Sequence, residues 1–414
     1  MRRVVVTGMG GVSALGNAWP QIEARLRERR NAIRTMTEWD RYTDMNTRLA
    51  GPIEDFAPPS HWTRKQLRSM GRVSQLAVRA AEMAFEDAGL LNDPVLRSGV
   101  AGVACGSSIG STPDIKDFAA MVISNDTSGL NANSYVRMMP HTTAANVGIF
   151  FGLQGRIVPT SSACTSGSQG IGYAYEAIKF GRQSLMICGG AEELCPTEAM
   201  AFDTLYATST RNSEPGTTPR PYDNDRDGLV IGEGAGMLVL EEYEHALRRG
   251  ARIHAELVGF ASNSDGMHVT KPEEATMRYV MELALADAGI DARAIDYVNG
   301  HGTATEHGDI AETRATSALF GARMPLSTQK SYLGHTLGAC GALEAWFSIE
   351  MMKGGWFAPT LNLDRIDERC GELDYIVGEG RHIDATYVMS NNFAFGGVNT
   401  SLVFRRWSAH SPCS

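Results

Sequence analysis

The 414-residue chain has no CxxC pair, no excess of basic residues, no apolar run of membrane-spanning length and no low-complexity segment. Each absence removes a class of function. Lysine and arginine number 38 against 47 acidic residues, a net charge of −9, so a general nucleic-acid-binding surface is not expected. The seven cysteines (Cys105, Cys164, Cys188, Cys195, Cys340, Cys370 and Cys413) are an odd set with neither a disulfide framework nor zinc spacing. A reducing cytoplasmic setting fits that pattern. Membrane insertion is not expected either. Met1-Arg2-Arg3 followed by Val4–Gly8 is too short and too broken by glycine for a signal peptide, and reads as a buried first strand. What is present is ordinary for a soluble enzyme: 43% hydrophobic residues, 21% charged and 44 glycines.

The chain echoes itself. Residues 81–89, AEMAFEDAG, and 281–289, MELALADAG, each close an amphipathic helix with Asp-Ala-Gly, the glycine serving as C-cap. A short strand follows each, over 98–106 and 295–300. Edge strands over 3–8 and 255–259 match in style. One helix runs from Gly170 to Phe180 behind Cys164, and another from Gly338 to Lys353. Strand and helix signals alternate through both halves, which predicts an α/β fold of two similar units stacked as α/β/α/β/α. Residues 201–227, rich in Thr, Asn, Pro, Asp and Arg, read as a long functional loop.

Cys164 stands in Ser161-Ser162-Ala163-Cys164-Thr165-Ser166-Gly167-Ser168, before a helix. A helix N-terminus favours the thiolate, and small neighbours let a carbonyl approach. Three further segments lie at element boundaries. They are Asn299-Gly300-His301-Gly302-Thr303-Ala304-Thr305, Lys330-Ser331-Tyr332-Leu333-Gly334-His335-Thr336 and Asn391-Asn392-Phe393-Ala394-Phe395-Gly396-Gly397-Val398-Asn399. A thioester nucleophile, two imidazoles and a lysine are the inventory of a decarboxylative condensation.

These segments, with Pro219–Asp223 and Arg226-Asp227-Gly228, resemble the β-ketoacyl-acyl-carrier-protein synthases of the thiolase superfamily, in their elongating Cys-His-His branch. The resemblance covers nearly the whole chain. It implies a duplicated, five-layered thiolase-like fold, with residues 1–250 carrying the cysteine and 251–408 the two histidines. It implies that Cys164 accepts the acyl chain, that His301 and His335 drive loss of CO2 from a malonyl thioester, and that Lys330 holds His335. The N–H groups of Cys164 and Phe393 would form the oxyanion hole. Thr303 and Thr305 would bind the carrier's pantetheine arm, Phe395 would gate the acyl pocket, and Ile109 would line it. Glu344 would be structural, together with Asn299, Ser390 and Asn391, in a setting able to take an alkali cation. No catalytic metal and no cofactor beyond the carrier's phosphopantetheine arm are implied. The partner is an acyl carrier protein, and the expected assembly is a homodimer or a pair with a related subunit. The Ser161–Ser168 and Asn391–Asn399 segments are also similar to synthases of bacterial aryl polyene clusters.

Other residues have plainer readings. Cys105, Cys188 and Cys340 read as core residues, although thiolases use a second cysteine as an acid. His61, His245, His382 and His410 read as surface residues. Gly106-Ser107-Ser108-Ile109-Gly110 satisfies the hydrolase G-x-S-x-G pattern without a triad. Gly8–Ser13 half-matches a dinucleotide loop and reads as a close-packed turn. Arg64, Lys65, Arg68 and Arg72 form a basic cluster, with Arg64, Arg68 and Arg72 at helical spacing, suited to docking an acidic carrier protein. Arg137 and Arg211 could extend it. Three features depart from the family pattern: Ala394 between the phenylalanines, Thr142-Thr143, and the loop Glu306–Asp309. Two alternatives stand beside the condensing enzyme, a CoA-dependent thiolase and a non-catalytic chain-length-factor-like subunit.

Overall fold

A computed structural model describes residues 1–408, so His410 and Cys413 lie outside the described part. Eleven strands form one mixed sheet. They are β1 (Val4–Ser13), β2 (Ala101–Gly106), β3 (Ile157–Pro159), β4 (Leu185–Glu192), β5 (Gly234–Glu242) and β6 (Ala255–Ser264). The remainder are β7 (Tyr297–Asn299), β8 (Pro325–Ser327), β9 (Asp374–Tyr375), β10 (Tyr387–Phe393) and β11 (Val398–Arg406). Their order is β9-β8-β7-β10-β11-β6-β1-β5-β4-β2-β3.

The order repeats about the β1–β6 pairing, where Val5 faces Glu256. In the first half β1 is antiparallel to β5 and β5 to β4, after which β4, β2 and β3 run parallel. In the second half β6 is antiparallel to β11 and β11 to β10, after which β10, β7 and β8 run parallel. Six helices supply the layers: α1 (Arg72–Asp87), α2 (Thr142–Phe151), α3 (Ser166–Lys179), α4 (Glu274–Ala288), α5 (Glu306–Phe320) and α6 (Cys340–Gly354). The outer helices α1 and α2 cover the first half-sheet, and α4, backed by α5, covers the second. Helices α3 and α6 pack together and touch strands of both halves, giving the α/β/α/β/α stack.

Residue patterns explain which helix takes which layer. Helix α1 buries Val73, Leu76, Ala77, Ala80, Ala84 and Phe85, an i, i+3/i+4 stripe, and leaves Arg72, Gln75, Arg79, Met83 and Glu86 partly or fully exposed on the other side. Helix α6 is buried around nearly its whole circumference, which only a central layer permits. The 81–89 and 281–289 echo is a structural one. Asp87 accepts the Met9 N–H at 2.9 Å, and Asp287 accepts the Phe260 N–H at 3.1 Å. Gly89 and Gly289 both sit at φ +67°, the left-handed cap.

Some expectations are redrawn. Gly8–Ser13 is not a turn but the continuation of β1. A Cβ on Gly8 would fall 2.2 Å from the Ala84 carbonyl oxygen, so the glycine lets α1 lie on the strand; Gly259 plays the same part against Ala284 at 2.4 Å. The helix behind Cys164 starts earlier than Gly170, at Ser166. Glu306–Asp309 is the first turn of α5, not a loop. The 201–227 loop loses its beginning to the helix Pro196–Asp203. Cys105 and Cys188 are buried in β2 and β4. His61 and His382 are exposed, whereas His245 is half-buried against Glu241 at 2.7 Å. Among the described residues no helix is long and apolar enough to cross a membrane.

Candidate active site

The duplication brings the N-termini of the two central helices face to face. The 3-10 turn Ala163–Thr165, ahead of α3, packs on the turn Leu337–Ala339, ahead of α6. Cys164 rides the first turn and His335 precedes the second. His301 comes two residues past the end of β7, between glycines. A Cβ on Gly300 or Gly302 would meet the Tyr222 hydroxyl at 2.2 or 2.5 Å, so both positions must stay small. Tyr222 comes from the 201–227 loop, which therefore braces the site from beneath.

The three side chains open on one cavity of about 510 Å³, also lined by Thr303, Thr305, Phe393 and Phe395. His335 Nε2 lies 3.0 Å from Cys164 Sγ. The two imidazole rings are 5.1 Å apart and nearly perpendicular. The Leu337 N–H donates to His335 Nδ1 at 3.3 Å, and Lys330 Nζ donates to His301 Nδ1 at 3.1 Å. Each Nδ1 is thereby an acceptor, which puts the ring proton on Nε2 of both histidines, on the side away from these partners. The His301 loop is itself held by α5. Glu312 accepts the His301 and Gly302 N–H groups, and Asp309 accepts those of Thr303, Ala304 and Tyr222.

Burial, reinforced by the Lys330 charge, holds both imidazoles well below the ordinary histidine value, so they are neutral at pH 7. Lys330 is held above its own range, because Glu344 and its neighbours outweigh burial. The Glu344 carboxyl is also raised, burial there exceeding the pull of Lys330. These two shifts disagree about how fully the pair is ionised. Lys330, Asn392 and Asn299 all converge on Glu344 as donors, which supports the ion pair. Cys164 corrects the expected low-pKa thiolate. Its 3% exposure pushes the thiol up to about 11, against the Phe395 N–H, the Lys330 charge and its own N–H. The resting pair is a neutral thiol facing an imidazole N–H donor.

The β-ketoacyl synthase N-terminal domain matches residues 1–246 and the C-terminal domain residues 254–364. The chain belongs to the β-ketoacyl synthase family. A 3-oxoacyl-[acyl-carrier-protein] synthase 2 of Vibrio cholerae is 38% identical over 414 residues, covering 98% of this chain and 99% of the relative. The crystal structure of a beta-ketoacyl synthase from Burkholderia phymatum is 62% identical with a TM-score of 0.98, covering 99% of this chain and all of that one. The AntDE:AntF complex, a type II PKS acyl-carrier protein with its ketosynthase bound to the hexaketide, matches at 29% identity and a TM-score of 0.86 over 98% of this chain and all of that one. The protein is thus an acyltransferase of ketosynthase type with a thiolase-like fold.

Within this ketosynthase several assignments move. Lys330 bonds His301, not His335, whose orientation comes from the Leu337 backbone. The N–H aimed at Cys164 is that of Phe395 rather than Phe393. Strand β10 ends at Phe393, paired with Asn399, and the chain then folds back through Gly396 and Gly397 at φ +91° and +75°. The Phe395 ring sits edge-on to Phe202 at 5.8 Å. Asn391 turns to Met281 in the outer layer, and its neighbour Asn392 reaches Glu344 at 2.7 Å, because consecutive strand residues point to opposite faces. Asn299 bonds Ser390 at 3.2 Å, and the side-chain oxygens of Asn299 and Asn391 have no partner among the described residues.

Thr303 and Thr305 bond each other at 2.8 Å on the cavity wall. Ile109 does not line the cavity; it is half-buried in the turn that Ser108 ties to Glu192, which also occupies the G-x-S-x-G serine. Cys340 is buried, and its thiol donates to the Cys164 carbonyl at 3.2 Å, supporting the nucleophile's turn. Arg64, Lys65 and Arg68 are exposed, and Arg137 donates to the Arg68 carbonyl at 2.8 Å. Arg72 leaves that cluster. The helix stops at Leu67, α1 begins at Arg72, and its guanidinium pairs with Glu233.

The residues that sequence reasoning missed are Asn392, Asp309, Glu312 and Tyr222. Asp309 and Glu312 carried a signal, being one turn apart just after the Thr303–Thr305 segment. It was hidden by reading Glu306–Asp309 as loop.

Proposed function

We propose that this ketosynthase condenses an acyl group with malonyl-acyl carrier protein, with loss of CO2, in chain elongation. The carrying observation is that two neutral imidazoles, each with its proton on Nε2, share one cavity with Cys164 Sγ. In the first half-reaction Cys164 sulfur attacks the acyl thioester, the carrier's C–S bond breaks, and the proton released by Cys164 ends on the carrier sulfur, which departs as a thiol. The His335 Nε2–H, the Phe395 N–H and the α3 N-terminus stabilise the charge growing on sulfur. In the second half-reaction a malonyl thioester enters. Its C–C bond to the carboxylate breaks, CO2 leaves, and the electron pair passes to an enolate whose oxygen accepts the two Nε2–H bonds. The enolate carbon attacks the Cys164 thioester, the C–S bond breaks, and a β-ketoacyl carrier protein departs. The N–H groups of Cys164 and Phe395 hold the tetrahedral oxygen. No electron acceptor is needed, because CO2 release drives the step. Thr303 and Thr305 sit where they can bond the pantetheine arm.

His301→Ala should lower CO2 release from malonyl-acyl carrier protein by about 100- to 1000-fold, as loss of one oxyanion donor does. Acylation of Cys164, followed by intact mass, should stay within about tenfold of wild type. In the wild type CO2 release should stay level as pH falls through the ordinary imidazole value of 6.5, because a depressed group remains neutral there. Unchanged CO2 release in the variant, or condensation supported equally by acetyl-CoA, would favour the thiolase alternative.

The reading includes docking of the acidic carrier protein at Arg64, Lys65 and Arg68. Reversing these charges should weaken carrier affinity about tenfold at low salt and flatten its salt dependence. If neither changes, docking lies elsewhere. It also includes a dimer in the cytoplasm, formed with a second copy or a related subunit. Strand β3 ends the sheet with Ile157 exposed, and Ile149 on the adjoining α2 is 75% exposed; sedimentation reads the outcome. The Ser161–Ser168 and Asn391–Asn399 segments favour a short or polyunsaturated acyl chain of aryl polyene type, and Ala394 and Thr142-Thr143 mark a specialised acyl pocket. An acyl-carrier panel tests that choice.

A further inference from the structure

The helix Pro196–Asp203 runs alongside the nucleophile, and its Ala199, Met200 and Phe202 pack in one cluster with Cys164. The same helix carries Glu198, only 4% exposed. Neither Glu198 carboxyl oxygen has a hydrogen-bond partner among the described residues. The Cys195 N–H approaches the group without closing a bond. Glu192, fully buried at the end of β4, is half engaged. Its Oε2 accepts from Ser108 N–H at 2.8 Å, from the Ser108 hydroxyl and from Gly338 N–H at 3.0 Å, while its Oε1 has no partner. Phe202, one turn along from Glu198 on the same helix, lines the cavity that holds the Cys164 sulfur.

Buried polar groups are as a rule bonded, and two carboxyls with three open oxygens between them ask for a ligand. Burial raises both: Glu192 to about 7, with the Glu193 charge adding to it, and Glu198 well above the carboxylate range, with the Glu192 charge adding to it. With Glu198 held protonated at neutral pH, the pair is a poor cation site. A carboxylic acid offers one O–H donor and one carbonyl acceptor, the complement of a hydroxyl. An acyl chain tethered to Cys164 would run along the Phe202 side of that cavity, against the helix that carries Glu198.

We propose that Glu198, backed by Glu192, recognises a hydroxyl, aliphatic or phenolic, on the acyl group that Cys164 carries. The inference rests on the acyl-enzyme reading above and narrows its substrate class. An acyl chain with an apolar end leaves the carboxyl unbonded and is rejected; this is how sites built around a substrate hydroxyl discriminate.

The test loads Cys164 from matched pairs of acyl-pantetheine thioesters of increasing length, one member ending in a hydroxyl and the other in a methyl. Intact mass gives the acylation rate. At the matching length the wild type should favour the hydroxyl-bearing member by about tenfold or more in kcat/KM. Glu198→Met should reverse that preference, and Glu198→Gln, which keeps a donor and an acceptor, should retain most of it. Iodoacetamide labelling of Cys164 in each variant reports an intact site. Equal rates for both members in the wild type, or an unchanged ratio in Glu198→Met, overturns the proposal and leaves the pair as a buried shared proton. Wild-type Cys164 that accepts neither member while staying reactive to iodoacetamide rejects the acyl-enzyme reading itself, and this inference with it.

Discussion

Condensation by the Cys164→Ala variant should fall by at least about 10,000-fold, because the covalent intermediate cannot form. CO2 release from malonyl-acyl carrier protein should survive within about tenfold. The decarboxylating donors, His301 Nε2 and His335 Nε2, are held by Lys330 and by the Leu337 backbone, and neither support involves the sulfur. Radiolabelled malonyl carrier protein separates the two activities in one vessel. An unchanged condensation rate would make this chain the partner subunit and put the nucleophile elsewhere. Simultaneous loss of both activities would mean that the Cys164 thiol helps to orient His335, with which it is in contact at 3.0 Å.

The second large effect is expected at Lys330. The side chain is 1% exposed and its ammonium joins Glu344, 4% exposed, to His301. Truncation to alanine strands a buried carboxylate and frees the His301 tautomer. Breaking such a pair typically costs about 3–5 kcal/mol. Urea unfolding of Lys330→Ala should show a loss of that order, and CO2 release should fall along with it. Pairing Lys330→Met with Glu344→Leu removes both charges and should recover most of the stability, since apolar replacements of buried pairs are well tolerated. Decarboxylation should not recover, because His301 Nδ1 loses the Lys330 ammonium and keeps only the longer contact with Asn392 Nδ2 at 3.4 Å. A Lys330→Ala variant as stable as wild type would show that Glu344 is protonated at rest.

The catalytic set was legible because its members have a local signature. Cys164, His301 and His335 each stand among glycines and small residues at an element boundary, and the glycines are required by close contacts such as Gly300 against Tyr222. The duplication was legible through the Asp87/Asp287 and Gly89/Gly289 echo, since each pair answers the same need to tie and cap an outer helix on its strand.

The errors share a different cause. Choosing Phe393 over Phe395, or Asn391 over Asn392, is a matter of one or two residues along a strand end. There a single step reverses the face, and no motif records it. Lys330 stands five residues before His335 yet bonds His301, a contact made only when β7 and the short helix Lys330–Leu333 after β8 come together. Grouping Arg72 with Arg64 followed from spacing, and fails because the chain breaks between two helices.

Residue order alone thus determined the repeated α/β architecture and singled out the cysteine and two histidines that the fold brings to one cavity. These depend on local spacing and on glycine at places of close approach. Tertiary structure decided which backbone N–H faces the sulfur, which histidine the lysine holds, that the resting thiol is neutral, and that Glu192 and Glu198 are buried. All four arise from burial and from tertiary contacts, within a half as well as between the two. The dielectric around a group, and the partner it meets there, are set by distant parts of the chain folding onto it.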